Sequence, residues 1–582
     1  MIKYQCHKCG LVTSLSECPH CSDSKNVIRT ELLSSTLYWC SHCNTPIFDE
    51  LCPICGKKGK AFTSDARPVF PEERLLLELM LGKPLAFLHD NVWNGAGNKY
   101  FVNGERVSLV LGDFSQFNIE NIKMQLDEYA DHNTYNYFNE HLKVFLIANK
   151  QRYDYLLTEA TQWIRNKAIG FDSSSMFVSF SGGKDSTVVS SLVTRALGRS
   201  DIIHIFGNTT LEFPSTIDYI NRFKNANRHT PVLTAQNKEQ DFFNLCESFG
   251  PPSRMLRWCC TIFKTGFIGE KIQKTFKDKT SVRTFYGIRR MESTSRSKYE
   301  REDNSPKISK QRVTSPIIDW TDYDIWLYIL ASRIDFNDAY RWGFTRVGCW
   351  CCPNNSKWSE FLTKIYMPEL YAKFHNMLMQ FAVKMGKDNP EEYISSGGWK
   401  ARQGGAGVEL SKNVAVEFKP CATDSRSFNY SLNKPIDLSL YEFFKPFGTL
   451  NFEMGNSRLG EVFVLNKKGS PILKIKGRLG TRDLRITILD TPIALKTRTT
   501  DIESKIKCQI TKYQLCVGCH ACENACRLNA IRLIKKGDGD SDYSYVIDAE
   551  KCIHCYECIS HYPGGCYMKR VLQPRGKKND GN

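Results

Sequence analysis

The stretch Ser179-Phe180-Ser181-Gly182-Gly183-Lys184-Asp185-Ser186 decides how the middle of this 582-residue chain is read. Met176 to Phe180 is a short apolar run with the pattern of a strand, and Ser186 to Leu197 has the pattern of a helix. A Gly-Gly turn between strand and helix aims backbone N–H groups and a helix N-terminus at one point, which is an arrangement for phosphate. It is not a Walker loop, which places more residues between its first glycine and Gly-Lys. A Gly-Gly turn standing alone is ordinarily a tight connection. Here strand, loop, Lys184, Asp185 and helix agree on a nucleotide site.

Outward from this loop, Ile202–Phe206, Pro231–Thr234 and Val282–Tyr286 are further strand candidates separated by helical stretches. That alternation predicts a parallel sheet with crossover helices, and a ligand loop after its first strand lies at the carboxyl edge of the sheet. The expected fold is multidomain α/β, with this catalytic block at 171–385. A chain of this length exceeds one hydrophobic core.

Cysteine usage defines both ends. Cys6, Cys9, Cys18 and Cys21 recur as Cys40, Cys43, Cys52 and Cys55, each shifted by 34 positions. Paired Cys-x2-Cys knuckles supply four thiolates per unit, so two zinc ribbons are expected over 1–60, with His7, His20 and His42 surplus. Units this small cannot bury a core, and bound metal supplies much of their folding energy. Disulfides are the competing reading. No secretory peptide precedes Cys6 and no apolar run approaches membrane-spanning length, so zinc in a reducing cytoplasm is expected.

Near the other end stand Cys516-x2-Cys519-x2-Cys522-x3-Cys526 and Cys552-x2-Cys555-x2-Cys558-x7-Cys566. This spacing resembles a two-cluster bacterial ferredoxin over 508–570. The resemblance assigns Cys516, Cys519, Cys522 and Cys566 to one [4Fe-4S] cluster, and Cys552, Cys555, Cys558 and Cys526 to the other. Arg527 stands where a proline usually follows the fourth cysteine, and the second motif is stretched before Cys566.

Between these landmarks, short strands with turn signals over 61–117, including Ala86-Phe87-Leu88, suggest a small β-rich module that loosely resembles a PUA-like fold. Residues 118–170 read as helices with aromatic packing. Residues 386–507 combine a Gly-rich stretch (Gly397, Gly398, Gly404, Gly405, Gly407) with strand-like Glu461–Leu465 and Leu484–Leu489. A basic, disordered tail is expected over 571–582.

The loop at 179–186 resembles the pyrophosphate loop of the ATP-pyrophosphatase and phosphosulfate-reductase superfamily, whose central domain has the adenine nucleotide α-hydrolase fold. The resemblance covers roughly residues 170–360. It rests also on Gly207 to Pro214, on Tyr286 to Ser293 with Arg296, on Pro316 to Thr321 with Trp326, and on Arg346 before Cys349. It implies ATP and Mg²⁺, with Ser179, Ser181, Gly182, Gly183, Lys184, Asp185, Ser186, Asn208, Glu292 and Arg296 at the nucleotide, and Lys184, Asp185, Arg289 and Arg290 in the chemistry. Planar arginines suit phosphate or sulfate oxygens. Cys259-Cys260 with Cys349-x2-Cys352 resembles the four-cysteine core of assimilatory adenylyl-sulfate reductases and of sulfurtransferases of DNA phosphorothioation. These four are therefore expected to hold a third [4Fe-4S] cluster. Cys351 is an extra thiol, either an alternative ligand or a sulfur-handling group.

The formal charge is +17, from 79 Lys and Arg against 62 Asp and Glu. Five metal sites at about −2 each would leave roughly +7, a mild bias toward nucleic acid. The complete Ser181-Gly182-Gly183-Lys184-Asp185-Ser186 loop resembles members that cleave ATP between α and β phosphates, and the reductases' carboxy-terminal Glu-Cys-Gly-Leu-His motif is absent. The leading expectation is an ATP-dependent iron–sulfur sulfurtransferase or oxidoreductase. It would adenylate a tRNA, DNA or small-molecule acceptor and work with an external electron donor and a sulfur donor such as a cysteine desulfurase. The alternatives are adenylyl-sulfate or phosphoadenylyl-sulfate reduction to sulfite, and a nucleic-acid-binding factor with structural metals. No membrane partner is expected.

Overall fold

Phe177 and Val178 are fully buried, as a strand covered on both faces requires. In the computed structural model they lie in the strand Met176–Ser179, inside a six-stranded sheet. The described residues are 36–109, 114–490, 499–537 and 543–573, without 295, 306–307, 309, 406–407, 409–410 and 412–415. Of the first 35 they are 2–6, 8–9, 12–13, 21 and 27–31. Cys18, His7, His20, Gly407 and the expected tail beyond 573 lie outside them.

The sheet runs in the order Val232–Gln236, Ile203–Asn208, Met176–Ser179, Val282–Phe285, Gln311–Thr314, Glu302–Asn304. The first five strands are parallel, and Glu302–Asn304 closes the edge antiparallel. The chain adds strands to one side of Met176–Ser179, then returns to add Val282–Phe285 on the other. The crevice at such a reversal is where open α/β sheets take ligands. Helix Lys184–Leu197 buries Val188, Val189, Leu192 and Val193 and ends on Gly198 in the left-handed conformation. Helix Asp322–Ser332 is buried along its length from Tyr323 to Ile329.

The sequence pattern missed the two strands at 302–304 and 311–314. They are short and polar, and the sheet rather than their own periodicity makes them strands. Helix Lys184–Leu197 also starts two residues before Ser186, because Gly183 takes an extended conformation and opens it directly.

On the amino-terminal side are two three-stranded sheets, Val12–Thr13, Ile2–Cys6, Val27–Glu31 and Thr45–Ile47, Leu37–Cys40, Lys60–Thr63. A four-stranded sheet follows, Glu105–Arg106, Lys99–Val102, Val92–Gly95, Ala66–Pro68. Ala86-Phe87-Leu88 lies in turns, not in a strand: Leu85 N–H and Phe87 N–H donate to the buried Glu78 carboxylate at 2.9 and 2.8 Å. Helices Ile119–Glu128, Asn136–Ala148 and Lys150–Ala168 lead into the central sheet. Beyond it a six-stranded antiparallel sheet spans Glu417 to Ile488, and the paired strands Ile531–Lys535 and Tyr543–Ile547 flank the last cysteines. Among the described residues no helix is long and apolar enough to cross a membrane.

Candidate active site and metal centres

Gly182 has φ +72°, a conformation that side chains resist, and it turns the chain from strand to helix. Ser186 ties the loop: its Oγ accepts from Ser181 N–H at 3.2 Å and donates to the Gly183 carbonyl at 2.9 Å. Lys184 N–H donates to the Tyr340 hydroxyl at 3.0 Å. Asn208, at the end of its strand, accepts from Thr210 N–H at 2.8 Å. Gly287 follows the neighbouring strand, and a Cβ built there would stand 2.7 Å from the Asp185 carbonyl carbon and 2.8 Å from Ser186 N. Only a glycine lets these backbones come so close.

Two cations and two carboxylates interlock at this crevice. Lys184 Nζ lies 3.5 Å from Asp185 and 3.3 Å from Asp322, and donates to the Thr345 carbonyl at 3.2 Å. Arg289 Nε donates to Asp185 at 2.6 Å, and its terminal nitrogens donate to Asp322 at 2.6 Å and to the Trp320 carbonyl at 3.3 Å. Burial alone would lower the Lys184 ammonium, but Asp185 and Asp322 outweigh it and hold it above its ordinary value. Burial pushes Asp322 up, yet Lys184 and Arg289 prevail and hold its carboxyl below the usual range. Such a set can meet phosphate oxygens with Lys184 and Arg289 while Asp185 and Asp322 offer oxygens to a hard cation.

The expectation did not include Asp322, Asp65 or Tyr340. Asp322 was legible from Thr321-x-x-Asp324, a capping box that puts Asp322 in a helix's first turn. Asp65 was not, since it arrives from the small amino-terminal module. Its two oxygens accept from Asp322 N–H and Tyr323 N–H, each at 3.0 Å. Burial, then the neighbouring Asp322 charge, push its carboxyl up to about 7.

The other predicted arginines are engaged elsewhere. Arg290 pairs with Asp319 and donates to the Tyr299 carbonyl at 3.0 Å. Arg296 pairs with Glu292, whose carboxylate also accepts from Arg289 N–H at 3.1 Å. Glu292 thus links the outer arginine to the inner one.

The four cysteines of the central domain converge. Cys259 and Cys260 open a π-helical turn, Cys260–Thr265, an irregularity common at functional positions. Cys260 is an electrostatic neighbour of Cys259, Cys349 and Cys352. Burial first, then Glu212 and Cys260, push the Cys349 thiol up to about 12. Lys264 acts against this at Cys349, and Arg346 and Arg257 do so at Cys352, so three cations face the quartet. Thr209 Oγ1 is 3.6 Å from Cys349 Sγ, and Glu212 bridges to Cys349 through the backbone. Asn355 donates to the Cys349 and Trp350 carbonyls at 3.3 and 2.8 Å, and Lys400 donates to the Asn355 carbonyl at 3.2 Å. Both hold the loop that carries the cysteines. Cys351 is buried in the apolar core, and burial raises its thiol well above the ordinary value.

Metal geometry differs between the ends of the chain. Cys40, Cys43, Cys52 and Cys55 bring all their Sγ atoms within 4.8 Å of one another, with Cys40–Cys55 at 3.6 Å and Cys43–Cys52 at 3.8 Å. A tetrahedral ion with ~2.3 Å bonds needs sulfurs about 3.8 Å apart, so this quartet fits zinc. Cys6, Cys9 and Cys21 converge likewise. Among the described residues no other set closes so tightly, and a cubane needs its thiolates spread wider. Cys516, Cys519, Cys522 and Cys566 line one cavity, with Lys512 and Tyr545 in its wall. Cys558 has Cys526 and Cys552 among its neighbours. The two groups interleave the two motifs.

The carboxy-terminal unit is docked on the central one. Gln240 donates to the Val517 carbonyl at 3.1 Å, Asn524 to the Thr265 carbonyl at 3.2 Å, and Tyr567 to the Arg257 carbonyl at 3.2 Å. Tyr567 has Cys260, Cys519 and Cys259 as electrostatic neighbours, so it stands between the two sets of thiols.

Residues 175–355 match the phosphoadenosine phosphosulfate reductase domain, and residues 515–565 the 4Fe-4S dicluster domain. An uncharacterized protein of Methanocaldococcus jannaschii is 30% identical over 274 residues, which make up 47% of this chain and 55% of that one. The chain thus spans about half of that relative's length. The adenosine 5'-phosphosulfate reductase of Neisseria meningitidis serogroup B is 28% identical over 215 residues, 35% of this chain and 82% of that protein. A crystal structure of phosphoadenylyl-sulfate reductase from Candida auris covers 35% of this chain and 96% of its own, at 13% identity and a TM-score of 0.27. This chain therefore carries a phosphoadenosine phosphosulfate reductase domain joined to a 4Fe-4S dicluster domain.

Proposed function

We propose that the chain is an ATP-dependent iron–sulfur sulfurtransferase or oxidoreductase that adenylates an acceptor and then delivers sulfur or electrons to it. The observation that carries this reading is one short segment. Thr345 accepts from Lys184 at the glycine loop, and Cys349, the member of the thiol quartet at the segment's other end, contacts Thr209. A glycine loop and a thiol quartet linked through one short segment support a reading in which nucleotide activation and thiolate chemistry work together.

In this reading Lys184 and Arg289 bind the phosphates, and Asp185 and Asp322 hold Mg²⁺. An acceptor oxygen attacks the α-phosphorus and the α–β bond breaks, with pyrophosphate leaving. Sulfide-level sulfur then attacks the acceptor atom that bears the adenylyl oxygen, the new bond to sulfur forms as the bond to that oxygen breaks, and AMP leaves carrying the oxygen. Cys259, Cys260, Cys349 and Cys352 would hold a [4Fe-4S] cluster that supplies sulfur or electrons. The three surrounding cations suit an anionic group there. The carboxy-terminal cysteines would hold two more clusters that pass electrons inward past Tyr567 from an external donor, and the amino-terminal quartets two zinc ions. A sulfur donor such as a desulfurase and a nucleic-acid or small-molecule acceptor complete the scheme.

The likeness to adenosine 5'-phosphosulfate reductases favours a second reading, two-electron reduction of adenylyl sulfate to sulfite and AMP. One anoxic experiment separates them. Acceptor-dependent pyrophosphate release from ATP, with adenylyl sulfate untouched, is the result expected. Sulfite release from adenylyl sulfate without ATP would overturn the leading reading.

A further inference from the structure

Lys512 sits on the helix Thr499–Leu515 with its side chain 2% exposed. An ammonium taken from water needs a compensating charge. Among the described residues Lys512 makes no ion pair with a carboxylate. Its Nζ donates to the Cys558 carbonyl at 2.8 Å, and the thiols of Cys522, Cys558 and Cys566 lie around it. Cys522 and Cys566 belong to one quartet and Cys558 to the other. The buried cation therefore lies between the two candidate clusters.

Tyr545 accompanies it. The ring is 1% exposed, stacked on Phe443 at 4.4 Å and 17°, and the Lys512 ammonium lies 5.9 Å from its centroid. The hydroxyl is buried and has no oxygen or nitrogen partner among the described residues. It faces Cys522, Cys558 and Cys516. A buried hydroxyl left without a partner is costly unless something accepts from it, and thiolate or cluster sulfur is what lies in front of it.

We propose that Lys512 and Tyr545 set the reduction potentials of both carboxy-terminal [4Fe-4S] clusters, Lys512 as a buried positive charge between them and Tyr545 as a hydroxyl donor to their sulfur. Each cluster gains one electron on reduction and becomes more negative by one charge. A fixed cation and a donated hydrogen bond stabilise that form, and charge and hydrogen bonding at sulfur are what tune these potentials. Sharing one cation between two clusters also couples them, since the same charge favours reduction of each.

The test uses the full chain, reconstituted with iron and sulfide under anoxia and titrated with dithionite, which supplies the electrons. Cluster spectra are followed by electron paramagnetic resonance, with iron and acid-labile sulfide measured on each sample. In Lys512→Gln both potentials are expected to fall, whereas Lys512→Arg stays near the parent and Tyr545→Phe falls by less than Lys512→Gln. A fully loaded Lys512→Gln that titrates like the parent overturns the proposal, as does Lys512→Arg falling as far as Lys512→Gln. Iron lost from Lys512→Gln but kept by Lys512→Arg supports it, because charge is then required to hold the anionic clusters together. Iron lost from both overturns it in favour of packing alone. An unchanged Tyr545→Phe removes the hydroxyl from the proposal.

Discussion

Lys184 reaches the segment that carries Cys349 through the Thr345 carbonyl, and in the proposed reading the two residues serve separable tasks. In that reading Lys184→Ala removes a phosphate-directed charge, and it touches no cysteine. Acceptor-dependent pyrophosphate release is expected to fall by about 10²–10³, the usual cost of a lost transition-state contact, with iron content unchanged. Cys349→Ala is expected to lower iron by roughly four atoms per chain while equilibrium ATP binding persists. Full iron in that variant would remove the third cluster. Asp65 supplies a pH test. Its folded carboxyl titrates near 7, well above the ordinary 3.8, so the folded state binds the extra proton across that interval. Stability from this group is therefore lost as pH rises from about 4 through 7. The stability advantage of the parent over Asp65→Asn is expected to shrink between pH 5.5 and 8 in denaturant titrations. A constant difference would show that Asp65 does not titrate there.

At the scale of elements, the phosphate loop depends on its neighbour strand as much as on its own glycines. Gly287 lets the backbone after Val282–Phe285 pass against Asp185 and Ser186. In Gly287→Ala the new methyl meets backbone on both sides, so the loop must shift. A stability loss of about 1–3 kcal/mol is expected, as for overpacking generally, together with weakened ATP binding measured by calorimetry. Unchanged affinity would mean that the loop can move without cost. The helix Asp322–Ser332 is placed by a related device, since Asp65 from a distant module accepts its first N–H groups and so aims Asp322 at Lys184 and Arg289.

At the scale of the whole molecule, the second cysteine quartet is built into the protein rather than tethered to it. Phe48 N–H donates to Asn149 at 3.0 Å, Asn149 donates to the Pro46 carbonyl at 3.0 Å, and Tyr323 donates to Asn149 at 2.7 Å. The quartet thus shares a buried hydrogen-bond set with the helix that carries Asp322. Removing metal with a chelator, or making Cys52→Ser, is expected to lower the melting temperature of the central domain as well as to release zinc. A melting curve unchanged after full zinc release would show that the two are independent.

How much of this was legible in the residues depended on how local the signal was. The parallel sheet, the strand-to-helix turn at Gly182 and the interleaved cysteine motifs were legible because alternation, Gly-Gly-Lys-Asp and Cys-x2-Cys are patterns within a few residues of one another. Lys184, Asp185 and Arg289 could be named from such patterns, and they do meet at the crevice. Arg290 has the same local look, but Asp319 engages it, a choice made by where the chain folds back, while Arg296 pairs with Glu292 four residues before it. Asp65, Tyr340, Lys512 and Tyr545 carry no motif at all. Each acquires its role from what is packed against it: a helix N-terminus for Asp65, the loop's first helical N–H for Tyr340, two sets of thiols for Lys512 and Tyr545. Burial turns an ordinary carboxyl or ammonium into a functional charge, and burial is decided only when distant segments close around it.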